Sequence, residues 1–118
     1  MRIVLPFPSR KLSPNFHAHW RVKEQARKEA IDAGFCAART VYTPGTDAPL
    51  TGDLRVTYHF YPPDRRSRDD DNIIASLKHA RDSIAKALEV DDKQFRMQAP
   101  VWHEPVPGGK IEVEIEEL

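Results

Sequence analysis

The chain has 118 residues, of which 40% are hydrophobic and 31% are charged. This length is typical of one domain with a modest core, and this composition excludes a disordered chain. No apolar run approaches the roughly 20 residues that cross a bilayer. The single cysteine, Cys36, excludes an internal disulfide and a multi-cysteine zinc site. Because the short apolar start is broken by Pro6, we expect no secretory signal and a cytoplasmic protein.

The net charge is zero, with 18 basic and 18 acidic residues, but the charges are unevenly distributed. The first 30 residues are mainly basic, whereas residues 112–118 hold four glutamates and no base. Residues 65–68 contain three arginines and are directly followed by three aspartates. Binding of nucleic-acid phosphates requires a basic surface, and this segregation allows a basic face on a neutral protein.

The first half of the chain predicts a strand, a helix and a second strand. Residues 2–7 are short and apolar, which favours a strand. Aromatic residues and alanines recur at helical spacing from Phe16 to about Ala33, and this predicts a helix capped by Asn15 and ended by Gly34. Residues 53–61 alternate apolar and polar side chains of β-branched and aromatic types, which is typical of a strand.

The second half predicts a helix from Asn72 to Leu88, a strand over Gln94–His103 and a final alternating strand after the turn at Pro107–Gly109. The helix carries an apolar stripe at helical spacing, made of Ile73, Leu77, Ala80, Ile84 and Leu88. The final strand places Ile111, Val113 and Ile115 on one face. The order β-α-β-α-β-β predicts a single α+β domain over residues 1–118, with a mixed sheet and two main helices.

Three consecutive carboxylates, Asp69, Asp70 and Asp71, stand where the second helix begins. One aspartate is enough to cap a helix and to interact with its dipole. Since adjacent acids repel each other, the other two require a counter-charge, either from the preceding arginines or from a bound cation. Helical spacing also puts Lys78 and Asp82 on the stripe of Asp71, where solvated ion pairs are the structural alternative to a functional site.

Hydrolysis of phosphodiesters is the chemistry that requires such a cluster. Mg²⁺ prefers oxygen ligands and is held by a few carboxylates together with substrate phosphate. Arg65, Arg66 and Arg68 would then bind flanking phosphates, and Lys78 would stabilise charge on the reacting phosphate or orient the attacking water. Asp91 and Asp92 follow a helix about 25 Å long. They reach the first cluster only if the chain runs back along the helix or if a partner subunit shapes the site.

These motifs resemble the RusA family of Holliday-junction resolvases. The family carries an Arg-rich loop, an Asp-x-Asp-Asn motif that opens a helix, a lysine on that helix and a later Asp-Asp pair. The corresponding segments here are RRSRDDDN at 65–72, Lys78 and VDD at 90–92. The N-terminal PSRKLSPNFHAHW is similar to the start of the family, so the resemblance extends over most of the chain.

The resemblance implies a RusA-like fold and a metal-dependent endonuclease that makes paired nicks in a four-way DNA junction, in recombination and repair. It implies Asp69, Asp71 and Asp92 as metal ligands, with Asp91 as the alternative to Asp92, and these acids together with Lys78 as the catalytic set. It further implies Mg²⁺ or Mn²⁺ as cofactor, a homodimer with two active sites and a frequent origin in phages or prophages.

The lysine departs from the family pattern. In the best-known members it lies four residues after the second aspartate of the motif, where this chain has Ala75. Lys78 lies almost one turn further on, on nearly the same face, and we take it as a functional substitute. Asp82 is either a neighbour of the metal ligands or a surface acid.

Other notable side chains have structural interpretations. His17 and His19 would point in different directions on a helix, so we do not expect them to share a metal. We interpret Phe16 and Trp20 as core or dimer contacts, Asn15 as a helix cap with DNA contact as the alternative, and Cys36 as a small buried hydrophobic residue.

Three alternatives to a junction resolvase remain open from the sequence. A nuclease of the same fold can act on forks, flaps or RNA. A DNA-binding dimer without catalysis would bind junctions with or without metal and leave them intact. A protein-interaction module with a cation-stabilised fold would melt in a metal-dependent way and have no affinity for DNA.

Overall fold

The computed structural model describes all 118 residues. The five strands are β1 (Arg2–Pro6), β2 (Leu54–Tyr61), β3 (Phe95–Met97), β4 (Val101–Trp102) and β5 (Lys110–Glu117). The three helices are α1 (Trp20–Val41), α2 (Asp70–Ser76) and α3 (Lys78–Leu88). Single 3-10 turns occupy Arg10–Leu12 and Asp92–Gln94.

The strands form one mixed sheet in the order β1-β5-β2-β3. β5 lies antiparallel between β1 and β2, whereas β3 and β4 both pair in parallel with β2. β3 is opposite the start of β2, with Leu54 paired to Phe95, and β4 is opposite its end, with Phe60 paired to Trp102. The predicted single α+β domain with a mixed sheet is confirmed.

The core lies between one face of the sheet and the helices. Alternate residues of β2 and β5 are buried on this face, including Leu54, Val56, Ile111 and Val113. The apolar stripe predicted for residues 73–88 packs here as expected: Leu77, Ala80, Ile84 and Leu88 are buried and Ile73 is partly buried. The alternation therefore divides the sheet into an apolar inner face and a polar outer face.

The first helix differs from the prediction at both ends. It begins at Trp20 with His19 as its N-cap, so Asn15 does not cap it, and it continues through Gly34 to Val41. Gly34 is required by packing: a Cβ there would lie 2.8 Å from the carbonyl oxygen of Ala80 on α3. The glycine permits a close approach of two helices, which the sequence signal for a helix end did not distinguish.

The predicted single helix over 72–88 is two helices separated at Leu77. The Ser76 hydroxyl donates to the carbonyl of Asn72 at 2.7 Å, a bond that bends helices. The backbone N–H of Leu77 donates to the carbonyl of Ile74 at 3.1 Å, which tightens the last turn of α2. The chain resumes helical hydrogen bonding in α3, with Arg81 donating to Leu77.

The strand predicted over Gln94–His103 is likewise two short strands, β3 and β4. Pro100 lies between them, and a proline cannot donate to a strand ladder. The interpretation of Cys36 as buried was wrong, since this residue is exposed on α1. No helix of the structure is both long and apolar enough to cross a membrane.

Candidate active site at one end of the sheet

The acidic motif opens α2 at the end of the sheet where β2 finishes. Asp69 is the N-cap residue, and its Oδ1 accepts a hydrogen bond from the backbone N–H of Asp71 at 2.9 Å. The Asp71 side chain is exposed and accepts no hydrogen bond from the protein. Asp69 therefore has one uncommitted carboxylate oxygen and Asp71 has two, all facing solvent at the start of one helix.

Asp70 has a different role from its two neighbours. Its Oδ1 accepts a hydrogen bond of 2.6 Å from the indole Nε1 of Trp102. The Trp102 ring also packs edge-on against Phe60 of β2, with 4.9 Å between the ring centroids. This contact ties the start of α2 to β4 and gives Asp70 a structural role. Asp69 has one through its cap, so Asp71 is the carboxylate that has no partner in the protein.

The three arginines before the acidic motif have unequal environments. The Arg68 side chain is 14% exposed. It donates to the carboxylate of Asp64 at 2.8 Å and lies over the ring of Phe7. Arg65 and Arg66 are each 79% exposed, in ion pairs with Glu104 and Asp64. Arg68 thus holds the loop together, whereas Arg65 and Arg66 are accessible for a ligand.

Asp64 organises this loop as an ionised carboxylate. Its Oδ1 accepts from the backbone N–H of Arg66 at 2.9 Å and from Nη2 of Arg68. These two hydrogen bonds, the backbone one first, hold the pKa of the Asp64 carboxyl below its ordinary value. The loop, Trp102 and the residues after β4 together enclose a polar groove of about 330 Å³ beside the acidic motif.

Lys78 and Asp82 lie on the following helix. Lys78 Nζ is 3.7 Å from Asp82 Oδ2, and Arg81 contacts the same carboxylate at 3.4 Å. The lysine is well exposed and forms no ion pair with Asp69 or Asp71. The break at Leu77 lies between Asp71 on α2 and Lys78 on α3, whereas Lys78 and Asp82 share one helix.

Asp91 and Asp92 lie at the opposite end of β2. They stand just before Phe95, which pairs with Leu54, whereas the Asp70 partner Trp102 pairs with Phe60. Leu54 and Phe60 are six residue positions apart along β2, which corresponds to about 20 Å at the usual strand rise. One copy of the chain therefore does not bring Asp92 to Asp69 and Asp71, and no group of three His, Cys, Asp or Glu side chains is close enough to hold a metal.

Asp91 has a structural role through one of its carboxylate oxygens. It caps the 3-10 turn: its Oδ1 accepts from the backbone N–H of Lys93 at 2.9 Å, and its own N–H donates to Gln94 Oε1 at 2.9 Å. The hydrogen bond from Lys93 is the main cause that lowers the pKa of the Asp91 carboxyl. Gln94 also donates to the carbonyl of Gly52 at 2.8 Å, which fixes the turn to the loop before β2.

The N-terminal segment reaches the acidic end of the molecule. Asn15 donates from Nδ2 to Oδ1 of Asn72 at 3.4 Å, directly beside the motif. His17 and His19 precede α1 instead of lying on a helix, and His19 Nδ1 accepts from the backbone N–H of Arg21. Trp20 is 66% exposed, which excludes the predicted role in the core of one chain.

Sequence reasoning missed a hydrogen-bonded chain on the outer face of the sheet. His59 on β2 is 8% exposed. Its Nδ1 lies 2.8 Å from Nε2 of His103, and its Nε2 lies 3.1 Å from Oε1 of Glu114. The Tyr61 ring stacks on His103 with 4.3 Å between centroids. The only signal in the sequence was a histidine at a polar position of an alternating strand.

The sequence is similar to that of a known protein over nearly its whole length. No protein-family model matches the sequence. An uncharacterized protein of Xylella fastidiosa (strain Temecula1) is 37% identical over 113 residues, a match that covers 96% of this chain and 74% of that protein. Identity at this level over nearly the whole chain indicates one fold and common descent. The chain therefore belongs to the same protein family as this Xylella fastidiosa protein.

Proposed function

We propose that the protein is a metal-dependent endodeoxyribonuclease that resolves four-way DNA junctions, as its resemblance to the RusA family implies. The observation that carries this proposal is the placement of the uncommitted carboxylates of Asp69 and Asp71 beside an arginine loop. A solvated cap needs neither the second carboxylate nor the exposed guanidinium groups of Arg65 and Arg66. A divalent cation and a polyanionic strand require both.

The donor set suits a hard cation. Mg²⁺ is commonly held by one or two carboxylates, keeps several waters and takes substrate phosphate as a further ligand. Asp69 and Asp71 supply three uncommitted carboxylate oxygens at one helix start. When bound, Mg²⁺ or Mn²⁺ would supply a water of lowered pKa as nucleophile and neutralise charge on the phosphate. The single cysteine excludes a multi-cysteine zinc site.

The residues around the acids would bind and orient the strand. Arg65 and Arg66 sit in exposed ion pairs of small energetic value, so their guanidinium groups can exchange a carboxylate for a phosphate. Arg68 positions Arg66 through Asp64, which accepts hydrogen bonds from both residues. The contact of Asn15 with Asn72 places the basic N-terminal segment at the same end. Lys78 reaches a bound phosphate only by leaving Asp82, a weak and exposed partner.

Asp92 enters the proposal through a second copy of the chain. Its distance of about 20 Å from the acidic motif, judged from the strand register, means that one protomer offers an incomplete set. The resemblance implies a homodimer, and the two-fold symmetry of a homodimer suits a four-way junction. In such a dimer, Asp92 of each site would come from the partner subunit. Asp91 is the alternative to Asp92, since one of its carboxylate oxygens caps a turn, as one oxygen of Asp69 does, and the other accepts no hydrogen bond.

The proposal is tested by incubating a labelled synthetic four-way junction with the protein and Mg²⁺, next to linear duplex and a replication fork. We expect paired symmetric nicks that vanish with EDTA and fall by more than about 100-fold in Asp71→Asn, beyond the cost of losing an outer partner of a metal site. Asp32→Asn is the matched control, since Asp32 is an exposed acid on α1 and forms no ion pair or hydrogen bond with the proposed site residues.

Each alternative predicts a different result in this assay. Cutting of forks or RNA with junctions untouched would keep the site and replace the substrate. Tight junction binding without any nick, in either Mg²⁺ or Mn²⁺, would reassign Asp69 and Asp71 to structure and make the protein a branched-DNA-binding dimer. Metal-dependent melting with no affinity for DNA would indicate a cation-stabilised interaction module.

A further inference from the structure

The polar groove beside the acidic motif has a balanced lining. Its charged residues are Arg65, Arg66 and Arg68 against Asp64, Asp70 and Glu104, which gives a formal sum of zero. His103 is the remaining titratable residue of the lining. The protonation state of this histidine therefore decides whether the groove as a whole is neutral or positive.

His103 is not an isolated side chain, because its Nε2 lies 2.8 Å from Nδ1 of His59. Glu114 can only accept as a carboxylate, and the hydrogen bond from His59 is the main cause that lowers its pKa. His59 Nε2 therefore carries a proton, and it donates to Glu114 across 3.1 Å. The 2.8 Å contact between His59 Nδ1 and His103 Nε2 requires one more proton between these two nitrogens.

The fourth nitrogen of the two rings, Nδ1 of His103, is protonated only when the pair carries an extra proton. When both rings are neutral, the two protons occupy the positions just named, and His103 Nδ1 has none. When the pair gains one proton, His103 Nδ1 receives it, whichever ring the shared proton is closer to. This nitrogen has no hydrogen-bond partner within the protein. It is not buried, because the one buried side-chain nitrogen or oxygen atom that lacks a partner is Nε of Arg81.

We propose that the groove is a phosphate-binding subsite in which Arg65, Arg66 and the protonated His59–His103 pair bind a backbone phosphate of a DNA strand. The identity of the ligand as DNA rests on the proposed function, whereas the phosphate chemistry rests on the groove itself. His103 Nδ1 acts as a charged donor when the pair is protonated and as an acceptor facing a neutral groove when it is not. Binding is therefore stronger at acidic pH.

Most of the charged groups around the histidine pair form ion pairs with one another. The charged or titratable groups facing it are Glu112, Glu114 and Lys110 from β5, Arg2 from β1, Tyr61 from β2, and Arg65 with Glu104 from the two loops. Arg2 contacts both Glu112 and Glu114, and Lys110 contacts Glu112. These ion pairs keep the two carboxylates ionised near neutral pH.

The proposal is tested by the salt dependence of junction binding, measured in EDTA at pH 5.5 and pH 8.5 so that no cleavage occurs and histidine titration is bracketed. Each phosphate contact contributes about 0.9 to the slope of log K against log salt. We expect the wild-type slope to be steeper by about 0.9 at pH 5.5, and His103→Gln to keep the shallower slope at both pH values.

His79→Gln is the matched control, because His79 lies on α3 between the charged groups of α1 and Lys78, away from the groove. It should retain the wild-type change of slope. A pH-dependent slope that persists in His103→Gln would overturn the proposal. Melting curves of the full-length variants establish that they are folded at both pH values.

A second measurement separates this proposal from the nuclease function. In wild-type protein, the His103 imidazole signals are followed by NMR at pH 5.5 while inorganic phosphate is added. A shift that saturates supports the groove even if the protein binds no DNA, an outcome that would remove the proposed function and leave a phosphate site. An imidazole that does not respond to phosphate or to the junction overturns the subsite.

Discussion

Two ends of strand β2 carry the same residue type in opposite circumstances. At the end of the strand, Asp69 and Asp71 keep three uncommitted oxygens beside an arginine loop. At its start, one oxygen of Asp91 caps a turn, and Gln94 anchors this turn to Gly52. The two ends therefore differ in what lies beside the carboxylates: exposed arginines precede Asp69 and Asp71, whereas Asp91 belongs to a capping box.

The two ends also differ in how firmly their loops are held to the sheet. Asp70 and Trp102 attach the acidic end by a hydrogen bond of 2.6 Å and an aromatic contact. The other end is held by a capping box and by the ion pair of Arg96 with Asp53 at 3.1 Å. Both ends are ordered, so the difference between them is chemical, and Asp92 is the one residue whose assignment to structure or site depends on a partner.

The largest expected effect comes from mixing two inactive variants, Asp71→Asn and Asp92→Asn. If Asp92 completes the site of the partner subunit, a mixed dimer contains one intact site and one doubly defective site. We expect each variant alone to nick a junction at least about 100-fold more slowly than wild type, and the mixture to recover single nicks. The measurement is cleavage of a labelled junction after the two proteins are unfolded and refolded together.

The control for this mixture is Asp69→Asn with Asp71→Asn, two changes at the same end of the molecule. Since both residues belong to one chain's motif, no arrangement of two copies restores an intact site, and the mixture should stay inactive. Recovery of activity in the control pair would contradict the placement of both acids in one site. No recovery with Asp92→Asn, although that variant alone is inactive, would place Asp92 in the same protomer's site or in the fold.

A smaller effect is expected from Asp91, which caps the 3-10 turn before β3. Asp91→Ala removes the acceptor for the Lys93 N–H and should lower the free energy of unfolding by about 1 kcal/mol, the usual cost of losing an N-cap. Asp91→Asn should cost only a few tenths, because asparagine caps as well as aspartate does. Denaturant unfolding measures both, and junction cleavage by the folded variants should match wild type. A cleavage defect in Asp91→Asn, with stability unchanged, would transfer the ligand role from Asp92 to Asp91.

The sequence predicted those elements whose buried face follows from a regular spacing of apolar residues. The apolar stripe ending at Leu88 and the alternation of β5 are buried as expected, because each pattern allows only one face to meet the core. The continuation of α1 through Gly34 and the break at Leu77 were not predictable. One depends on the approach of α3, and the other on a hydroxyl that finds a carbonyl one turn back.

The candidate site was predictable to the same degree. Asp69 and Asp71 lie close together because they are two positions apart in the sequence, and the pattern around them predicted that they stand at the start of a helix. The position of Asp92 was not fixed by spacing, since the parallel pairing of β3 with the start of β2 decides it. His59 and His103 are 44 residues apart and meet only through the pairing of β4 with the end of β2.

The smallest expected effect is the response of the arginine loop to acidic pH. The pKa of Asp64 is lowered from its ordinary value of 3.8 by the backbone N–H of Arg66 and then by Arg68. Because its pKa is lowered in the folded protein, the ionised Asp64 carboxylate stabilises the loop at pH values above 3.8. This stabilisation is lost as the pH falls through the lower pKa of the folded state. The amide chemical shift of Arg66 should therefore titrate with a midpoint below 3.8. In Asp64→Asn that step should be absent, while Asp53→Asn should leave it unchanged. A midpoint at or above 3.8 in the wild-type protein would mean that the loop is not held by the Asp64 carboxylate, and the exposed arginines would then lack the support that distinguishes this end of the strand.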